Sequence, residues 1–255
     1  AIVPSVLHAN QLEEVTVVAE KRSESLQDLS QAVTAMSSDD LETKGIESFV
    51  DLSGVAPGVT VAKNEGYKTV ISIRGVGNEA NQNAIANPSV SYHMDGIYIA
   101  SPFALQTDFI DVERIEVLRG PQGTLFGQNS TGGAINVIST APSSEAFSGK
   151  VDTTLGSYNL QKVRGSVNVP LSDTVAMRPS FTSATRDGFS KNVLNGQELD
   201  DMENLSLRTD WLFDLSANTS LRVFGQAFDE DANGAAIKGI DDPTPDERKL
   251  AQDTR

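Results

Sequence analysis

Apolar and polar residues alternate along the second half of the chain, in runs long enough to be β-strands. In residues 163–171, 175–181 and 205–215 almost every second position is apolar. Two further runs, at about 147–155 and 221–228, have the same character. Because successive side chains of a strand point to opposite faces, the pattern predicts five strands with one apolar face and one polar face each.

Two architectures produce this alternation, and the connecting segments distinguish between them. A soluble sandwich buries the apolar face, whereas a transmembrane barrel turns that face toward lipid. Short turns at 170–174 and 216–220 alternate with long polar stretches at about 186–204 and from residue 229 onward, and only the link near 156–160 is short on the side of the long stretches. Outer-membrane barrels alternate tight periplasmic turns with large outer loops in this way. The connections therefore favour a barrel wall within residues 146–255.

Shorter apolar runs, separated by Gly, Pro and Asn, fill residues 46–142. Each run has the length of a strand and is bounded by turn-forming residues. Helical patterns in this region are brief, at most residues 46–53 and 108–113. The region is therefore predicted to be a small mixed α+β domain around a sheet of few strands.

The first 45 residues are predicted to be an extended segment rather than a domain. Residues 1–9 resemble the end of a bacterial signal peptide, which would imply export. Residues 10–45 begin with a short β-prone segment and continue as a polar, Ser-rich tether. Within this tether, Ser38 or Asp39 could cap a helical turn.

Composition excludes several functional classes. The net charge of −15 argues against a nucleic-acid surface and against a basic lipid anchor. The absence of cysteine excludes disulfides, thiolate nucleophiles and Cys-ligated zinc. With only His8 and His93 and no nucleophile elbow, we expect no enzyme, no cofactor and no metal site. The acid pairs at 200–201 and 241–242 could bind calcium, but they lack ordered ligand spacing, which favours solvated loops.

Five motifs, in order along the chain, resemble those of TonB-dependent outer-membrane receptors. The segment EEVTVVA at 13–19 is similar to a TonB box. Three further segments resemble successive parts of a plug domain: DLSGVAPGVTV at 51–61, ISIRGVG at 71–77 and YHMDGIYI at 92–99. The most specific motif is RIEVLRGPQGTLFGQNSTGGAINVIST at 114–140, which is similar to the end of a plug. The resemblance implies an α+β plug domain followed by antiparallel β-strands of an incomplete transmembrane β-barrel.

This resemblance also implies a function and its partners. The expected activity is energy-coupled uptake of a ferric siderophore or a similar scarce nutrient across the outer membrane, with carbohydrate or cobalamin as alternative cargo. TonB, together with ExbB and ExbD, would bind the chain by β-strand addition. The implied contacts of TonB are Glu13, Glu14, Val15, Thr16, Val17, Val18 and Ala19. A soluble periplasmic plug-like module that binds TonB or a small ligand is the alternative reading.

Candidate ligand-binding and structural residues follow from the same comparison. Outward-facing plug loops would contact ligand, although they could equally be ordinary polar loops that touch the barrel. The ligand candidates are Tyr67, Asn78, Asn83, Phe103 and Gln106. The residues expected to shape the plug are Arg74, Gly75, Arg119, Gly120, Gly132 and Gly133. The glycines would allow tight turns or close backbone approach, and a buried arginine in an apolar strand would need a partner such as Glu113 or Glu116.

About five strands cannot close a membrane barrel by themselves. Single-chain barrels begin at about 8 strands, and an open sheet edge in lipid would leave backbone groups unpaired. The sequence also ends in an acidic stretch that contains proline, which resembles an outer loop. We therefore expect the sequence to be part of a longer receptor.

Overall fold

The computed structural model describes residues 16–17, 24–25, 32–64, 68–77, 87–101, 105, 107–234, 236 and 249–250. Two five-stranded sheets dominate these residues. The first lies in the N-terminal domain, which comprises the described part of residues 32–140. The second, which we call the wall, comprises the long strands between residues 148 and 230. This division follows the change of hydrophobic pattern near residue 142.

The N-terminal domain is built from short strands and brief helices. Two short strands, β1 (Thr16–Val17) and β2 (Glu24–Ser25), precede it. Its own elements in chain order are β3 (Val33–Ser37), α1 (Ser38–Lys44), a 3-10 turn (Val50–Leu52), β4 (Val59–Asn64), β5 (Lys68–Ile73), β6 (Val76–Gly77), β7 (Val90–Met94), β8 (Ile97–Tyr98), β9 (Val112–Arg119), α2 (Gly123–Phe126) and β10 (Gly133–Ser139). Within the described ranges, no helix is both long and apolar enough to cross a membrane.

The central sheet of this domain has the order β3-β9-β10-β7-β8, with β10 parallel to β7 and the other neighbours antiparallel. One face of the sheet carries Ile115, Val117, Ile135 and Val137, which pack with apolar residues of β4, β5 and the 3-10 turn. The opposite face packs Leu118 and its neighbours against α2. Because both faces are covered, β9 and β10 have near-continuous buried runs rather than strict alternation.

Residues 33–44 belong to this domain, although the sequence analysis placed them in the tether. Strand β3 pairs with β9 along five residues, and Met36 is 2% exposed. Helix α1 is capped by Ser37, one residue before the predicted cap, in a capping box with Asp40. The hydrogen bond from the Ser37 backbone N–H lowers the pKa of Asp40. The polar residues around β3 concealed the strand, although its apolar residues pack on both faces of the sheet, Met36 on one and Val33 and Ala35 on the other.

The two helices predicted further along are shorter or absent. Only Val50–Leu52 of the first is helical, as a single 3-10 turn. Residues 108–113 contain no helix, because β9 begins at Val112 and the backbone of Asp111 is left-handed, with φ of 50°. A left-handed residue interrupts a right-handed helix.

The wall confirms the five predicted strands and lengthens most of them. It consists of β11 (Ser148–Gly156), β12 (Leu160–Ser172), β13 (Val175–Arg186), β16 (Met202–Ser216) and β17 (Thr219–Glu230). These strands pair antiparallel in chain order, so β11 and β17 are the edges of this sheet. The long connection after β13 forms β14 (Ser190–Asn192) and β15 (Glu198–Leu199), and β14 also pairs with β18 (Lys249–Leu250).

Two glycines that were expected to allow close packing do so at the start of β10. A Cβ atom on Gly133 would lie 2.4 Å from the carbonyl oxygen of Leu118 and 2.8 Å from Cδ1 of Ile73. A Cβ atom on Gly132 would lie 2.9 Å from Cγ1 of Val76. The pair therefore lets the β5–β6 hairpin approach the central sheet closely.

We predict that Gly133→Ala destabilises the N-terminal domain by about 2 kcal/mol, because the added methyl group overlaps backbone that cannot move away. Amide hydrogen exchange of β9 and β10 in urea would measure the loss. Gly123→Ala is the matched control, since its Cβ atom would have no neighbour within 4 Å. Equal protection in both variants would show that the close approach does not constrain the fold.

Candidate functional site

The wall is inverted relative to a soluble sheet. Most side chains that face the N-terminal domain are polar and buried, whereas most of those on the other face are apolar and exposed. In β16, for example, Arg208 is 4% exposed and its neighbour Leu207 is 50% exposed. The other buried polar wall residues are Lys162, Ser166, Asn168, Ser180, Thr182, Ser206 and Asp210. The exposed apolar residues on that other face include Val151, Leu155, Leu171, Leu205, Leu215, Leu221 and Val223.

A buried ionic cluster joins the β7–β8 turn to strands β16 and β17. Arg208 Nη2 donates to Asp95 Oδ2 at 2.7 Å and to Asp210 Oδ2 at 2.8 Å. Arg222 donates to both oxygens of Asp210, at 2.8 and 2.7 Å, and to Oγ of Ser139 at 2.7 Å. The Arg208 guanidinium also lies 4.4 Å from the centre of the Phe224 ring. Two cations and two anions thus balance in a nearly dry contact.

The position of Asp95 depends on local backbone geometry. Asp95 lies in the turn between β7 and β8, with φ of 50°, a region that Asp tolerates better than most residues. Its backbone N–H donates to Val137, and its Oδ1 accepts from the backbone N–H of Ser139 at 2.9 Å. Both contacts hold the carboxylate toward the wall.

A second left-handed aspartate makes a similar contact one strand away. Arg178 Nη2 donates to Asp111 Oδ1 at 2.8 Å, and Oγ of Ser180 donates to Asp111 Oδ2 at 3.1 Å. The same guanidinium donates to Oγ of Ser166 at 3.2 Å. The left-handed backbone of Asp111, which ended the predicted helix, thus belongs to the contact with the wall.

A third group of ion pairs joins the segment around α1 to β11 and β12. Lys162 Nζ lies 2.6 Å from Glu47 Oε2, and Arg164 Nη1 lies 3.1 Å from Glu47 Oε1. Lys162 also pairs with Asp108, and Lys150 pairs with Glu42. In every ion pair described between the two parts, the domain supplies the acid and the wall supplies the base.

The interface is not packed throughout. A cavity of about 460 Å³ lies between α1 and strands β11 to β13, and charged side chains of both parts line it, Glu42, Glu47 and Arg164 among them. A cavity of this size with charged side chains in its lining has room for water. The N-terminal domain therefore contacts the wall through separate ionic contacts with unfilled space between them.

Most of the predicted site residues cannot be placed. Tyr67, Asn78, Asn83, Phe103 and Gln106 lie outside the described residues, as do Glu13, Glu14, Val15, Val18 and Ala19. Thr16 and Val17 form β1, which pairs antiparallel with β2 in the register Thr16 to Ser25 and Val17 to Glu24. In the ranges that the structure describes, no group of three His, Asp or Glu side chains is arranged to hold a metal ion.

The arginines expected to shape the domain have different environments. Arg74 was expected within a strand, but it lies exposed in the turn after β5, with φ of 52°, and its backbone N–H donates to Gly58. Gly75 completes that turn and Gly120 follows β9, both with positive φ. The neighbouring Arg114 pairs with Glu113 and, at 3.0 Å, with Glu116. Arg119 donates to the hydroxyl of Thr34 in β3.

Sequence reasoning missed the residues that form the interface. Asp95 and Asp111 lie in loops of the N-terminal domain, and Arg178, Arg208 and Arg222 lie on wall strands. A signal for the wall residues was present, because each arginine falls on the polar face of an otherwise alternating strand. No local pattern indicated which acids would meet them.

Comparisons with known proteins agree with this architecture. The family model for the TonB-dependent receptor plug domain matches residues 25–134. A pesticin receptor of Yersinia pestis is 29% identical over 179 residues, which cover 68% of this chain and 26% of that protein. The vitamin B12 transporter BtuB of Vibrio vulnificus is 27% identical over 241 residues, which cover 91% of this chain and 36% of that protein.

A solved structure shares the fold. The crystal structure of the ferric yersiniabactin uptake receptor FyuA from Yersinia pestis superposes with a TM-score of 0.77 at 23% identity, covering 86% of this chain and 34% of that chain. The chain thus spans between a quarter and two fifths of the length of these relatives. The fold class predicted from the sequence is confirmed.

We predict that Asp95→Asn weakens the attachment of the N-terminal domain to the wall by about 3 kcal/mol. Asparagine tolerates the left-handed backbone, so the change removes mainly the charge and leaves Arg208 and Arg222 with Asp210 alone. The urea dependence of amide protection in β7 and β10 would measure the loss.

Two further variants show whether the lost attachment comes from the pairing of Asp95 with Arg208. Asp173→Asn, in the exposed turn between β12 and β13, should leave the protection unchanged. The double variant Asp95→Asn with Arg208→Gln should lose less than the sum of its single changes, because the two residues share one contact. Strict additivity would contradict a direct pairing.

Proposed function

The chain belongs to the TonB-dependent receptors, and on that premise we propose that it forms part of an outer-membrane receptor for energy-coupled nutrient uptake. The observation that carries the proposal is the inverted wall. Its buried face holds a plug by ion pairs, and its exposed face is apolar. A transmembrane barrel wall with a plug inside it requires this arrangement.

Aromatic residues at both ends of the wall support a location in the outer membrane. Trp211 and Phe213 stack 6.4 Å apart near the turn between β16 and β17. At the other end, Tyr158 and Phe189 lie 5.6 Å apart. Aromatic residues are enriched at both membrane interfaces of such barrels. The end with the β12–β13 and β16–β17 turns would face the periplasm, and the end with β14, β15 and the β11–β12 turn would face the outside.

A soluble periplasmic plug-like module would need the opposite wall. Such a protein buries its apolar residues and exposes its charged ones, because buried charges are costly and exposed apolar patches promote association. Here Leu155 is 75% exposed and Asp210 is 1% exposed. The receptor function therefore has better support than the soluble alternative.

The cargo that we propose is a ferric siderophore or a similarly scarce nutrient. Relatives named for ferric yersiniabactin and for vitamin B12 leave both chelated iron and cobalamin within this class. Ligand contacts are proposed for the plug loops that carry Tyr67, Asn78, Asn83, Phe103 and Gln106. The metal of a ferric cargo would arrive already chelated.

TonB is proposed to grip residues 13–19 by strand addition, assisted by ExbB and ExbD. Antiparallel pairing with β2 occupies one edge of β1, and a TonB strand could add to the other edge or replace β2. Force applied there would next reach β3, which is an edge strand of the plug sheet. Edge strands can separate from a sheet without disrupting its remaining pairs. The pull would thus act on the plug before it acts on the wall.

We predict that a proline in β1 abolishes uptake without weakening ligand binding at the cell surface. Consecutive N–H groups of a strand point to opposite edges, so Thr16→Pro and Val17→Pro together test both edges. At least one of them should reduce uptake of a radiolabelled ferric chelate by roughly tenfold or more.

Val17→Ala is the matched control, because it retains the backbone N–H and should preserve uptake. Binding of the same chelate to intact cells at low temperature separates capture from transport. Normal uptake in both proline variants would refute the assignment of TonB to this segment.

A further inference from the structure

Every lysine and arginine of the five wall strands lies on the face that the plug covers. The strand register places all of them on the same face of the sheet as the buried Ser166 and Ser206. They are Lys150, Lys162, Arg164, Arg178, Arg186, Arg208 and Arg222. The acids on the same face are Asp152, Asp210, Asp214 and Glu230. The covered face therefore has an excess of positive charge, although the whole chain has a net charge of −15.

The plug neutralises this excess while it is in place. Asp95, Asp111, Glu47, Asp108 and Glu42 pair with six of the seven bases, directly or through Asp210. When the plug moves away, these five carboxylates leave with it. The bases remain, because rigid wall strands hold them.

Two of the uncovered sites are prearranged for an anion. Asp210 continues to hold Arg208 and Arg222, so that two guanidinium groups share one carboxylate. Arg178 keeps only the hydroxyl of Ser166 as a partner among its described contacts with the wall. Guanidinium groups bind carboxylates and phosphates through parallel hydrogen bonds. An anionic cargo could therefore take the places that Asp95 and Asp111 leave.

We propose that this face of the wall, once uncovered, forms a cationic lining that selects an anionic cargo. The inference rests on the proposed transport function and narrows the cargo to compounds with net negative charge, such as chelates that carry carboxylate or phenolate groups. Charged residues that line a narrow pore set its ion selectivity. An anionic cargo that binds where the plug carboxylates were would also keep the wall arginines paired.

Ion selectivity of the uncovered wall tests this proposal. The receptor, purified with its whole natural chain, is reconstituted in a planar bilayer, and urea is added on the plug side to release the plug. The reversal potential in a gradient of potassium chloride then gives the permeability ratio of chloride to potassium. We expect a ratio above one. The triple variant Lys162→Gln, Arg178→Gln and Arg222→Gln should lower it by roughly threefold.

Glu203→Gln is the matched control, because Glu203 lies on the outward face of β16 and its loss should leave the ratio unchanged. A conducting wild type that prefers potassium, or a triple variant with an unaltered ratio, would overturn the cationic lining while leaving the transport function intact. Absence of any conductance in urea would overturn the transport function and the inference together.

Discussion

The structure depends on ion pairs between acids of the plug and bases of the wall. Buried charges are stable only when they are paired and hydrogen-bonded, so the wall arginines that the plug buries require carboxylates opposite them. Asp95 meets Arg208 and Asp111 meets Arg178 for this reason. The polar face of the wall must then point toward the plug, which leaves the apolar face outside. The orientation of all five strands follows from this one requirement.

Ionic contacts suit an interface that opens, as the proposed transport function requires. An apolar interface would lose its stabilisation in proportion to the area exposed, whereas a buried ion pair has a desolvation cost that offsets much of its attraction. Charged pairs separated by a polar cavity therefore fix the position of the plug without adding a large barrier to its release. Asp95 and Asp111 both have a left-handed backbone, a strained conformation that persists only where the surrounding structure holds it. Such residues cluster at functional sites, which agrees with a role of the two aspartates in holding the plug.

Local periodicity predicted the strands but not the interface. Alternation in 163–171 and 205–215 gave the positions of β12 and β16, because the period of two depends only on the pleat. The same alternation fits a soluble sandwich. The lengths of the connections favoured a barrel wall, and the burial of Arg208 beside the exposed Leu207 supports that choice. Strand β3 was missed because it has only five residues and lies within a polar, Ser-rich segment. Asp95 was missed because the pairing of distant residues depends on how the domain docks. The proposed ligand and TonB contacts stay predictions.

The most direct test of the account measures which face of β16 meets lipid. The chain has no cysteine, so single cysteines can be introduced at Leu205, Ser206 and Leu207 without a background signal. Spin labels at these sites, in the receptor reconstituted into bilayers, report contact with oxygen, which is concentrated in lipid, and with a water-soluble nickel chelate. The account predicts high oxygen contact at Leu205 and Leu207 and low contact at Ser206. Strong contact with the nickel chelate at Leu205 and Leu207 would contradict it and favour a soluble protein.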